Sequence, residues 1–204
     1  MNRKIGMYSS LINAAAVFLF ALCMALGTAY GSYLASMFIA FSFVPLVCAF
    51  CKFCAEDKKA AAYAAVAFAA VYAVFVLAVY FTQVTTVSLT NLTEQAADIL
   101  DYGKFGLFFN LNLFGYGMMA LSTFFVGLTV NVKTKANKWL KWLLLVHGIF
   151  FIACCLFPML GIFNPGLNGA DFIGTMVLTV WCLYFIPVGV LSYLFFKRQP
   201  SETI

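Results

Sequence analysis

Charge is scarce in this sequence, and its scarcity excludes an ordinary soluble protein. Only 9% of the 204 residues are charged, whereas about a quarter are charged in a typical globular domain. Hydrophobic residues make up 65% of the chain. The composition therefore predicts an integral membrane protein with almost nothing left for a soluble domain.

The groups that common enzyme mechanisms need are also missing. The chain has one histidine, whereas a zinc hydrolase typically assembles several histidine and carboxylate ligands. It has no Gly-x-Ser-x-Gly motif and no phosphate-binding glycine loop. No Asp, Glu, Lys or Arg lies in the middle of a long apolar run, although ion-coupled carriers usually contain such buried charges. The sequence predicts no metal site and indicates no particular cofactor.

What the chain does contain is six apolar segments long enough to cross a bilayer, which takes roughly 20 residues per helix. They predict an all-α fold, a polytopic membrane protein built as a six-transmembrane-helix bundle in a single membrane domain over residues 1–204. The predicted spans are Tyr8–Gly27, Tyr33–Phe53, Ala60–Phe81, Phe105–Val130, Trp139–Leu160 and Phe172–Phe196. A cleaved signal peptide is the alternative for the first span, but bulky Leu22 before Cys23 disfavours a lipoprotein-type cleavage site.

Positive charges alternate between the gaps that separate these spans. Eleven of the twelve Lys and Arg residues fall on one side, and Lys104 is the exception. The side of Lys104 carries four acidic residues, Glu94, Asp98, Asp101 and Asp171. Because cytoplasmic loops are enriched in Lys and Arg, both termini are predicted to be cytoplasmic. The net charge of +5 therefore reports orientation, and no nucleic-acid partner is predicted.

The third span and the connection after it each contain a sequence pattern that predicts a structural feature. Ala61, Ala65, Ala69 and Ala73 recur every four residues, which favours close helix packing. This alanine stripe contacts either another helix of the chain or a partner membrane subunit. The connection Thr82–Lys104 contains an amphipathic turn, Glu94–Leu100, which is either a lid over a cavity or a plain connector.

Cysteines offer two weaker hypotheses. Cys48, Cys51 and Cys54 are spaced by three residues, so a soft-metal or palmitoylated cluster is an alternative to ordinary membrane cysteines. A disulfide between Cys23 and one of Cys154 and Cys155 is a further alternative.

Uncharged polar residues are concentrated in the half of spans three, four and six that lies away from the basic gaps. Together with one histidine in span five, they could line a cavity for a mostly apolar ligand. The candidate ligand-binding residues are Gln83, Asn112, Tyr116, Thr123, His147, Thr179 and Trp181. The alternative is that these groups only form hydrogen bonds between helices. Trp181 lies deep in span six, where its indole N–H needs a partner.

Three short motifs resemble a known family. They are Gln83-Val84-Thr85-Thr86-Val87, Asn112-Leu113-Phe114-Gly115-Tyr116-Gly117 and Asn137-Lys138-Trp139-Leu140-Lys141-Trp142. The region from Tyr80 to Phe150 is similar to an uncharacterised bacterial group of six-span membrane proteins, classed as a domain of unknown function. The resemblance implies six helices and a bacterial inner (plasma) membrane, and it implies no reaction or ligand.

The sequence thus favours a multi-pass protein that contacts the lipid bilayer and binds or translocates a small, largely apolar solute or lipid. One alternative is a membrane-embedded enzyme that acts on a lipid-like or redox substrate through His147 or Cys154. Another is an accessory subunit that docks a partner through its alanine stripe.

Overall fold

The computed structural model describes residues 1–163 and 170–200, with only the backbone for residues 170–173. Within these ranges the chain is helical and contains no β-strand. The helices are α1 (Asn2–Ala25), α2 (Ala29–Lys52), α3 (Lys59–Thr82), α4 (Glu94–Leu100), α5 (Leu107–Thr129), α6 (Lys135–His147), α7 (Phe150–Met159) and α8 (Ala170–Lys197).

Six spans of this helical chain are long and apolar enough to cross a membrane, counted over the described residues. Helices α1, α2, α3, α5 and α8 each supply one, and α6 and α7 together supply the fifth in chain order. The predicted all-α six-helix fold is confirmed. The helix α4 lies in the predicted amphipathic turn and is too short to span.

The fifth span differs from the uninterrupted helix that its sequence predicts. Between α6 and α7 the backbone tightens, because the amides of Gly148 and Ile149 donate to the carbonyls three residues before them, over 3.1 and 3.0 Å. Helix α5 lies very close to this break: a Cβ added to Gly148 would be 2.9 Å from the Cβ of Phe124. The break therefore falls where the backbone of one span is packed against its neighbour.

The alanine stripe of α3 packs within the chain. Ala65 and Ala69 are fully buried, and the hydroxyl of Ser122 on α5 donates to the carbonyl of Ala65 over 2.8 Å. On the α5 side a Cβ added to Gly115 would be 2.9 Å from Val76. Small residues on both helices thus let the two backbones approach closely. The stripe therefore contacts another helix of the same chain, which is the first of the two alternatives given for it above.

One end of the bundle gathers most of the basic residues. We call it the basic end; it carries the start of α1, the end of α8 and the connections 53–58 and 130–134. Lys58 donates to the side chain of Asn131 over 2.7 Å, and Arg198 donates to Thr134 over 2.9 Å. The other end, here the distal end, carries residues 83–106. Residues 164–169 of the connection between α7 and α8 lie outside the described residues.

The seven cysteines all lie among the described residues, and each thiol is free. Cys23 lies against Gly31 at the turn between α1 and α2, whereas Cys154 lies against Gly117 of α5. The structure therefore contains no disulfide from Cys23 to either thiol of the fifth span. The thiol of Cys54 donates to the carbonyl of Cys51 over 3.1 Å.

Candidate functional site

A cavity of about 70 Å³ lies inside the distal half of the bundle. We call it the inner cavity. Its lining residues are Tyr102, Asn112, Leu113, Tyr116, His147, Phe150, Cys154, Val177, Leu178 and Trp181. They come from α5, α6, α7, α8 and the distal connection. Four of the seven residues proposed from the sequence therefore meet at one place: Asn112, Tyr116, His147 and Trp181.

His147 is fully buried, and both of its ring nitrogens are hydrogen-bonded. The indole Nε1 of Trp181 donates to Nε2 of His147 over 2.9 Å. An indole nitrogen can only donate, so Nε2 is the unprotonated acceptor and Nδ1 carries the hydrogen. Nδ1 lies 2.7 Å from the hydroxyl of Thr123, which in turn donates to the carbonyl of Ala120 over 2.9 Å. The geometry assigns one neutral tautomer to the histidine.

This network limits what His147 can do chemically. A protonated imidazole is a donor at both nitrogens, so protonation at Nε2 would require the bond from Trp181 to break. The ring is also surrounded by aromatic neighbours, with Phe185 and Phe150 at centroid distances of 5.1 and 5.3 Å. His147 thus forms part of the cavity wall and holds Trp181 and Thr123 in position.

Asn112 and Tyr116 supply the unsatisfied polar atoms of the inner cavity. The amide Nδ2 of Asn112 donates to the hydroxyl of Tyr80 over 3.2 Å, but its Oδ1 has no hydrogen-bond partner. The hydroxyl of Tyr116 also lacks a partner of normal geometry, although the Tyr72 and Tyr80 side chains lie nearby. Buried polar atoms are nearly always hydrogen-bonded, so these two point to a water or a ligand in the cavity.

Gln83 does not line the inner cavity. It lies in a π-helical turn, Gln83–Val87, that extends α3. Its side chain is only 1% exposed and binds the backbone of the distal connection at two points. Nε2 donates to the carbonyl of Leu100 over 2.8 Å, and Oε1 accepts from the amide of Tyr102 over 3.0 Å. Gln83 therefore anchors residues 94–104, which we call the cap.

The two threonines among the sequence candidates have different positions. Thr123 is 1% exposed and supports His147 from below the cavity. Thr179 is exposed on α8, and its hydroxyl donates to the carbonyl of Thr175 over 2.8 Å. The structure thus does not bring Thr179 together with the other candidates.

Two polar residues of the site were missed by the sequence interpretation. Tyr102 reaches the cavity from the cap, and Tyr80 accepts the hydrogen bond of Asn112. Cys154, which the sequence offered only as the group of a membrane-embedded enzyme, forms part of the wall. Tyr80 resembles an ordinary interfacial tyrosine in sequence, and Tyr102 lies outside the spans. The amphipathic pattern of Glu94–Leu100 was the available signal that this connection packs back on the bundle.

Residues 5–189 match the model of a family described as a domain of unknown function (DUF4386). The chain belongs to the DUF4386 family. This confirms the predicted resemblance to an uncharacterised family. Searches of curated proteins and of solved structures found no match for it.

The DUF4386 match covers every residue of the inner cavity and of the cap. It assigns no ligand and no reaction to them. A functional argument for this DUF4386 chain must therefore start from the cavity itself.

Proposed function

We propose that the protein binds a small, largely apolar solute in the inner cavity. The observation that carries the proposal is the pairing of an apolar, aromatic wall with two buried polar atoms that have no hydrogen-bond partner of normal geometry, Oδ1 of Asn112 and the hydroxyl of Tyr116. Small-molecule sites commonly combine a mostly apolar lining with a few polar groups that orient the ligand.

The volume limits the ligand. An apolar cavity of about 150 Å³ admits benzene, and the inner cavity is about 70 Å³. In this conformation the ligand is thus smaller than a benzene ring, with one polar group for Asn112 or Tyr116. A larger solute requires a side chain of the wall to move.

Binding is better supported than passage through the bundle. Between the inner cavity and the basic end lies a space of about 10 Å³, lined in part by Phe43, Phe50, Thr123 and Phe185. A solute would have to displace these rings to continue. A catalytic role for His147 is also less well supported, because neither ring nitrogen is available to a substrate.

We further propose that the protein lies in a bacterial inner membrane with both termini in the cytoplasm. The concentration of Lys and Arg at the basic end supports this orientation. The inner cavity then lies nearer the external surface, beneath the cap.

Native mass spectrometry of the gently purified protein tests the proposed binding. We expect a small molecule to be retained by the wild type and lost from the double variant Asn112→Leu plus Tyr116→Leu. The matched control is Thr179→Leu, which changes a polar residue on the exposed face of α8. A wild type that retains no more than the double variant would overturn the proposal.

A further inference from the structure

A second space at the distal end lies on the other side of Tyr102. This outer pocket has a volume of about 150 Å³, twice that of the inner cavity. Its lining residues are Phe20, Met24, Ala29, Ser32, Tyr33, Tyr80, Tyr102 and Leu178. Tyr102 and Leu178 line both spaces, so their side chains form the wall between them.

The outer pocket has the size and lining of a site for a planar ring. Its volume of about 150 Å³ is close to that of an enclosed apolar cavity that admits benzene, and the outer pocket is open at the surface, where Ala29 is exposed. The rings of Tyr33 and Tyr80 stack at 5.6 Å, and Tyr102 lies 6.0 Å from Tyr33. Aromatic rings and the thioether of Met24 attract an aromatic guest, and tyrosine hydroxyls can donate to or accept from one polar substituent.

Tyr102 belongs to the cap and not to a spanning helix. Its amide is bound to Gln83, and its ring packs 5.0 Å from Phe109 and 6.2 Å from Tyr80. The side chain also interacts with Asn112, the polar residue of the inner cavity. A displacement of the cap would thus move the wall and would expose Asn112 to the outer pocket.

The cap returns to the bundle through a close backbone contact. A Cβ added to Gly106 would lie 2.0 Å from the carbonyl oxygen of Asp98, far inside van der Waals contact. Any larger residue at 106 must displace the cap. Gly106 and Gln83 are therefore two independent points at which the cap position can be altered without changing Tyr102.

We propose that the outer pocket binds a benzene-sized planar ring with one polar group, and that the Tyr102 ring is the gate from this pocket to the inner cavity. The gate rests on the proposed function, because it leads to the solute site proposed there. The site in the outer pocket does not rest on the proposed function, because this pocket binds the ring whether or not the inner cavity binds a solute.

Phenol binding tests the outer pocket. Calorimetry is performed on the protein in nanodiscs, with empty nanodiscs as the blank. We expect saturable binding in the millimolar range, abolished by Ala29→Phe, which fills the pocket from the exposed start of α2, and retained in Trp139→Phe, which lies toward the basic end and outside the pocket. Absence of saturable binding to the wild type, or unchanged binding to Ala29→Phe, would overturn the site. A wild-type outer pocket that is occupied by lipid acyl chains in place of phenol would also overturn the site.

Quenching of Trp181 fluorescence by 4-bromophenol tests the gate. Trp139→Phe plus Trp142→Phe leaves Trp181 as the single tryptophan. In this background we expect Tyr102→Ala to increase the quenching constant several-fold, with smaller increases for Gln83→Leu and Gly106→Ala. Tyr102→Phe keeps the ring, so its quenching constant should equal that of the background protein, which retains Tyr102.

The two tests fail in different ways. Equal quenching in Tyr102→Ala and Tyr102→Phe would show that the ring is no barrier and would overturn the gate. Calorimetry would still report on the outer pocket. Neither result depends on a molecule retained in the inner cavity, which is the measurement that decides the proposed function.

Discussion

Trp181 donates its indole hydrogen to Nε2 of His147 over 2.9 Å, and this bond joins span six to the end of α6. Directly below it, Nδ1 of His147 contacts the hydroxyl of Thr123 on α5. Three spans are thus connected at one level of the bundle. The same three side chains separate the inner cavity from the tightly packed core toward the basic end.

Removal of the indole donor should destabilise the protein. Trp181→Phe leaves Nε2 of His147 buried without a partner, and we expect a loss of about 1–2 kcal/mol in the free energy of unfolding. Denaturant unfolding in detergent measures the change. Trp139→Phe, at a tryptophan that is 67% exposed, is the control. Equal stability of the two variants would contradict the assigned hydrogen bond.

The tautomer of His147 can be observed directly, because the chain has one histidine. In protein labelled with ¹⁵N-histidine, we expect Nδ1 to give the signal of a protonated ring nitrogen and Nε2 that of an unprotonated one. Nuclear magnetic resonance in detergent or nanodiscs records both. The opposite assignment would mean that Trp181 does not donate to Nε2.

Two threonines provide a matched pair of substitutions. Thr123→Val removes the hydroxyl that receives Nδ1–H of His147, so we expect a loss of about 1 kcal/mol. Thr179→Val should change stability by less than about 0.5 kcal/mol, since its hydroxyl contacts only its own helix. Thermal unfolding of both variants in the same detergent makes the comparison. A larger effect at Thr179 would contradict its position on the exposed face of α8.

Close packing of α3 against α5 makes one glycine intolerant of a methyl group. Gly115→Ala places a Cβ 2.9 Å from Val76 and 3.2 Å from Phe75, and overpacking of this kind costs about 1–3 kcal/mol. Gly174→Ala has no atom within 4 Å of the new Cβ and should be neutral or slightly stabilising. The melting temperature of Gly115→Ala should therefore fall, and that of Gly174→Ala should stay unchanged or rise slightly. A fall for Gly174→Ala only would be inconsistent with the packing.

The orientation prediction can be tested with single-cysteine proteins. With the other six cysteines replaced by alanine, we expect an impermeant maleimide to label Cys54 in inside-out vesicles and not in intact cells. A cysteine-free protein carrying Asn91→Cys in the distal connection should show the reverse. Labelling of Cys54 from outside would invert the proposed topology.

The same Cys54 protein also predicts a pH dependence. Burial raises the pKa of the Cys54 thiol above its ordinary value, so the reactive thiolate is a minor species at neutral pH. Labelling should therefore keep accelerating as the pH rises through the ordinary thiol pKa of about 8.5, and its rate should reach a plateau at a higher pH than that of a free cysteine in solution. A plateau at the same pH as free cysteine would contradict the raised pKa.

The sequence predicted the fold better than it predicted the site. Apolar length was sufficient for six spans, and the need of the Trp181 indole for a partner was met by His147. Asn112 and Thr123 both lie on the buried side of α5, whereas Thr179 is exposed on α8. In a helix that is apolar on every side, hydropathy cannot distinguish the face toward lipid from the face toward protein. A threonine that bonds to the preceding turn of its own helix can face lipid without an unsatisfied group.

The role of Gln83 could not be read from the chain because its partners are backbone atoms of residues 100 and 102. Backbone groups have no sequence signature. The break after His147 was hidden for a similar reason, since Gly148 is one glycine in a long apolar run and its meaning depends on Phe124 of another span.

The π-helical turn at Gln83–Val87 makes the cap sensitive to deletions as well as to substitutions. A π turn closes its hydrogen bond over one more residue than an α turn. Deletion of one residue such as Thr86 would return this segment to α-helical geometry and rotate the chain that follows by about 100°. Such a protein could keep Gln83, Tyr102 and Asn112 and still lose their alignment, so chain length between the third and fourth spans is itself a determinant of the site.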